Sequence, residues 1–96
     1  MKFIEESPDD PFIRYALALE YKQSDNGRAN ELFDKLLEKF PDYLPTYYQA
    51  ALLKEELNEV NSALAIYKKG MELAEKQNNH ATLKELTAAY NLLLDD

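Results

Sequence analysis

Ala63-Leu64-Ala65-Ile66-Tyr67-Lys68-Lys69-Gly70-Met71 is the stretch that decides the fold. A small residue, Ala63, is followed four positions later by an aromatic ring, Tyr67, and then by Gly70-Met71. Spacings of three and four place side chains on one face of an α-helix. On such a face the small residue lets a second backbone approach, and the ring fills the space beside the contact. Glycine inside a helix costs about 1 kcal/mol relative to alanine. Gly70 is therefore read as a point of close approach and not as a break. The same order stands one repeat earlier, as Ala29, Phe33 and Leu36-Leu37.

Displacing the chain by 34 residues extends the match in both directions. Pro11 meets Pro45, Leu19 meets Leu53, Lys35 meets Lys69 and Glu38 meets Glu72, while Leu32 meets Ile66 and Leu37 meets Met71. The breakers divide each period into two helices. Asp9 and Asp10 precede Pro11, an acidic cap followed by a residue with no N–H to leave unpaired. The first helix is predicted to run to about Gln23, followed by turn chemistry in Ser24-Asp25-Asn26-Gly27. The second runs from about Arg28 to Phe40 and stops at Pro41. The third runs from Pro45 to Leu57-Asn58. Asn58 is expected to cap the fourth, about Glu59 to Lys76. After the polar break at Gln77-Asn78-Asn79, the fifth runs from His80 to Leu94. Asp95-Asp96 oppose the macrodipole there, so that end is expected to fray. No stretch alternates with period two, so no strand is predicted. Short turns between helices make neighbours antiparallel.

These residues resemble the tetratricopeptide repeat (TPR) family, whose unit is a 34-residue helix pair. Leu17-Ala18 followed by Tyr21, and Leu86-Thr87 followed by Tyr90, match the first-helix pattern of that family. Ala50-Ala51 followed by Lys54 is a degenerate copy. Ala29 with Phe33, and Ala63 with Tyr67, match the second helix, and Pro41 matches the closing proline. The family's tryptophan is missing, with Tyr47 in its place in the second copy. The first turn is one residue short, judged from Tyr21 to Ala29. The second copy also lacks its closing proline, and about two residues are inserted before the fifth helix. The resemblance implies an all-α fold of antiparallel helix pairs stacked as a short right-handed solenoid. One domain would then cover residues 1–96: repeat one about 11–43, repeat two about 44–77, and a capping helix about 80–94. An irregular bundle closed around one core is the alternative fold.

The first and third helices are apolar on two sides, whereas a surface helix needs one apolar side. Phe12, Tyr15, Leu19 and Lys22 lie opposite Leu17 and Tyr21. Pro45, Tyr48, Leu52 and Glu55 form the equivalent stripe on the third helix, and Lys84, Ala88 and Asn91 the one on the fifth. In the TPR family the first helices line the concave surface. The resemblance therefore implies an apolar, tyrosine-rich groove for a peptide segment or helix of a protein partner. Its candidate residues are Phe12, Tyr15, Leu19, Lys22, Tyr48, Leu52, Glu55, Lys84 and Asn91. Two other readings stand beside it. The tyrosines are core packing under an N-terminal segment bearing Phe3 and Ile4, or a second copy covers the stripe in a homodimer. The Lys and Asn clamp that some family members use for a C-terminal carboxylate is absent, since Tyr15, Leu19, Tyr48 and Leu52 occupy those stripes.

Composition removes most other functions. With no cysteine and one histidine, thiolate and multi-histidine metal sites are excluded. A net charge of −7 without a basic run gives no footprint for nucleic acid or an anionic membrane. No apolar stretch approaches the ~20 residues of a membrane span. The first six residues do not read as a signal peptide, so the cytoplasm is the expected compartment. His80 has no converging nucleophile and is read as a solvated residue at a helix start. Glu55, Glu56 and Glu59 lack the alternating oxygens of a calcium loop. No cofactor and no catalysis are expected.

Overall fold

The computed structural model describes residues 10–95, and these described residues form five α-helices and no strand. They are α1 (Pro11–Lys22), α2 (Asn26–Lys39), α3 (Pro45–Glu56), α4 (Val60–Lys76) and α5 (His80–Leu94). Helix starts recur at the period read from the sequence, Pro11 with Pro45 and Asn26 with Val60. Asp9, Phe3, Ile4 and Asp96, which figured in the expectations above, lie outside the described residues.

Side-chain caps fix the starts. An Asp10 carboxylate oxygen accepts from the Phe12 amide at 3.0 Å, with Pro11 as the first helical residue. Asp25 accepts from the Arg28 amide at 3.1 Å. That cap draws Asn26 and Gly27 into the first turn of α2, which begins two residues before the expected Arg28. Asn79 caps α5 through the Thr82 amide at 3.1 Å. Asn58 does not cap α4. Its φ of 64° is left-handed, and it ends α3 instead. The Asn58 amide bonds to the Glu55 carbonyl and the Glu59 amide to the Lys54 carbonyl, the paired closure of a Schellman motif. Asn78 repeats this at the end of α4, with φ 58° and the Asn79 amide on the Ala74 carbonyl. Both helix-pair turns span three residues, 23–25 and 57–59, so neither is shortened. The residue missing between Tyr21 and Ala29 falls in the last turn of α1.

Two compact units divide the chain, Met1–Thr46 and Tyr47–Asp96. In the first, α1 packs on α2. Ala18, Ala29, Phe33 and Leu36 are fully buried. Tyr15 meets Phe33, and the Arg28 guanidinium sits 5.4 Å from the Tyr21 ring at the turn. The end of α1 thus faces the start of α2, as an antiparallel pair requires.

In the second unit, Ala51, Leu53, Ala63, Tyr67, Ala74 and Leu86 are fully buried. Tyr47 near the start of α3 meets Gly70 late in α4. Lys54 near the end of α3 meets Glu59 at the start of α4, with the ammonium 3.6 Å from the carboxylate. This pair is antiparallel too. A Cβ at Gly70 would stand 2.8 Å from the Tyr47 Cβ and 3.0 Å from a Leu86 methyl, so Gly70 is a point of close approach. Lys54 fills the slot where the family carries an aromatic residue. It buries its aliphatic stem and brings its charge out to Glu59, as long basic side chains do.

Candidate partner-binding site

Within the second unit, α3, α4 and α5 line a half-open cavity of about 440 Å³. Helix α3 contributes Tyr48, Leu52 and Glu55, spaced by four and three and so on one stripe. Helix α4 contributes Tyr67. Helix α5 contributes Glu85, Ala88, Ala89, Leu92 and Leu93. Leu92 is 75% exposed, the most open large apolar side chain among the described residues.

Tyr67 links floor to rim. Its ring is fully buried 6.3 Å from that of Tyr48, and its hydroxyl donates to a Glu55 carboxylate oxygen at 2.5 Å. Burial, then the hydrogen bond to Glu55 and its charge, and then Tyr48, all raise the Tyr67 pKa. The phenol therefore stays protonated and holds the carboxylate in one place. A buried hydroxyl without such a partner would be costly.

Of the α3 stripe read from the sequence, Tyr48, Leu52 and Glu55 line this cavity and Pro45 does not. On α5, Ala88 lines it, but Lys84 and Asn91 are exposed and do not; their neighbours Glu85 and Leu92 do. In the first unit, Phe12 is 63% exposed. Tyr15 is half-buried, packed edge-on against Phe33 at 6.4 Å and Tyr43 at 5.8 Å. Burial and Tyr43 raise its pKa. The Tyr15 ring thus packs in part within that unit, and Leu19 and Lys22, also on α1, are half-buried. A smaller cavity of about 330 Å³ lies among Pro11 and residues 39–43.

The sequence reading missed Glu85, Ala89, Leu92 and Leu93 and gave Tyr67 only a space-filling role. Leu92-Leu93-Leu94 was the available signal, because it is more apolar than a helix that only closes a repeat array requires. No cluster of three or more His, Asp or Glu able to hold a metal forms among the described residues. Of the glutamates near the end of α3, Glu55 accepts from Tyr67 and Glu59 pairs with Lys54.

No family model and no curated protein matches the chain. Solved structures do. A solution NMR structure of a tetratricopeptide repeat domain protein from Salinibacter ruber is 40% identical, with a TM-score of 0.85, over 90% of this chain and 88% of that one. A crystal structure of a tetratricopeptide repeat domain protein from the same organism is also 40% identical, with a TM-score of 0.84, over 88% of this chain and 96% of that one. The chain belongs to the tetratricopeptide repeat family. Its all-α helical-repeat fold follows from the helices and from that likeness together. A TPR fold suggests a protein-interaction module, and TPR proteins are generally non-catalytic scaffolds. No helix among the described residues is long and apolar enough to cross a membrane.

Proposed function

We propose that this TPR chain is a non-catalytic, cytoplasmic interaction module whose second unit seats a peptide segment or helix of a protein partner. The cavity between α3 and α5 is the observation that supports this most. Its volume falls within the roughly 300–1,000 Å³ of ligand pockets. Its walls are leucine, alanine and tyrosine with two glutamates beside them, an apolar centre with aromatic rings and a polar rim as in protein interfaces. Fully burying a leucine contributes about 1.5–3 kcal/mol. A partner covering Leu92 recovers most of that. Phe12, Tyr15, Leu19 and Lys22 of the first unit, and Lys84 and Asn91 of the second, are proposed as further contacts. No cofactor and no nucleic acid enter this reading. The repeat limits proposed with it are about 11–43 and 44–77, with the capping helix at about 80–94.

Selection of a random short-peptide library on the folded chain tests the proposal. Peptides should be enriched on the native protein and lost on Ala88→Arg, which fills the cavity from an exposed helix position. Equal recovery on both proteins would reject the site. Self-association is the second reading, favoured by Leu92 and Leu94 both standing exposed at the end of α5. Light scattering decides it, since a mass that stays monomeric at all concentrations eliminates the dimer.

A further inference from the structure

We infer that the occupant of the α3–α5 cavity is a basic amphipathic peptide segment, with apolar side chains on Leu52 and Leu92 and a lysine or arginine directed at Glu55 and Glu85. This rests on the reading that the cavity takes a peptide. The charge of the lining supplies the argument. Glu55 and Glu85 are its two charged residues, and no lysine, arginine or histidine lines it.

Glu55 is already half-buried and held by the Tyr67 hydroxyl. An ionised carboxylate offers about four acceptor directions, and one hydrogen bond leaves the others for a partner. A partner that seats on Leu52 also strips water from Glu55. Covering a carboxylate without a compensating charge is strongly unfavourable, so an apolar occupant must bring a cation. An acidic or phosphate-bearing occupant would meet two like charges. The net charge of −7 acts in the same direction at long range, drawing cationic segments toward the chain. Glu55 is fixed in advance, so little ordering cost falls on the protein side of that ion pair.

The same peptide library provides the test, now read for composition. Enriched sequences should carry lysine or arginine beside large apolar residues, and raising the salt concentration should weaken them. For one such synthetic peptide, Glu85→Gln should weaken binding about three- to tenfold. Glu72→Gln, an equal change in net charge on the exposed face of α4, should leave it nearly unchanged. Replacing the peptide's basic residue with glutamate should abolish binding. If the enriched peptides are apolar without a cation, or if Glu72→Gln and Glu85→Gln weaken binding alike, the inference is wrong and the peptide-binding reading stands. If nothing is enriched at the cavity, both are wrong.

Discussion

Alanine at Gly70 should loosen the second unit, although alanine is the better helix former. The propensity gain is about 1 kcal/mol. Against it stands the new methyl, 2.8 Å from the Tyr47 Cβ, 3.0 Å from a Leu86 methyl and 3.2 Å from the Tyr47 Cγ. The Leu86 contact is with the end of a side chain and can relax in part. The Tyr47 Cβ is fixed to the backbone of α3, so reaching ordinary contact at 3.4 Å requires α3 and α4 to part by about 0.6 Å. Overpacking of this kind costs about 1–3 kcal/mol. With a backbone-anchored atom nearest, the upper part of that range applies, and the net loss is about 1–2 kcal/mol. In a domain of this size that lowers Tm by about 5–15 °C. Thermal and urea melts followed by circular dichroism measure it. Gly27→Ala is the control. Gly27 is exposed in the first turn of α2, and its nearest neighbour would be the Asp25 carboxylate at 3.5 Å. That variant should melt at or slightly above the parent temperature. A Gly70→Ala protein as stable as the parent would refute the close contact between α3 and α4.

Three further outcomes follow from the packing. The Tyr67 pKa is raised above its ordinary value near 10, so the stability it contributes is complete below about pH 10 and is lost as pH rises beyond that. Alkaline melts should show this loss, and Tyr67→Phe should blunt it while costing about 1–2 kcal/mol at neutral pH, where the hydrogen bond to Glu55 disappears. Asn58→Ala should lose about 1 kcal/mol, because alanine keeps the β-carbon that disfavours the left-handed backbone and loses the short polar side chain that offsets it, whereas Asn58→Gly, with no β-carbon, should hold stability in the same urea melts. Thr46 buries its hydroxyl oxygen without a hydrogen-bond partner among the described residues. Thr46→Val keeps the shape and should raise stability by about 1 kcal/mol in thermal unfolding.

The fold was legible because each repeat carries its own punctuation. Proline at the start of α1 and α3, and small residues four before an aromatic in α2 and α4, leave few alternatives. The role of Asn58 was harder to read, since asparagine serves equally as an N-cap and as a left-handed helix end. Only the Schellman hydrogen bonds separate the two. For the site, α3 displayed its stripe in the sequence, because Tyr48, Leu52 and Glu55 follow the helical spacing. On α5 the stripe shares Ala88 with the cavity lining, while Glu85 and Leu92 line it one position beyond Lys84 and Asn91. Rotation of a helix about its axis is set by tertiary packing, here Leu86 against Gly70. The fifth helix has no second copy in the chain from which its facing could be read. The Tyr67–Glu55 bond joins residues in different helices, and local pattern carries no information about such a pair.

Chemical-shift mapping most directly tests whether the second unit receives a partner. A library-selected peptide is titrated into the isotopically labelled chain, and amide shifts are followed residue by residue. Saturable shifts are expected at Tyr48, Leu52, Glu55, Ala88 and Leu92, all absent in Ala88→Arg. Shifts confined to the outer face of α4 or to α2, with those residues unmoved, would contradict this expectation.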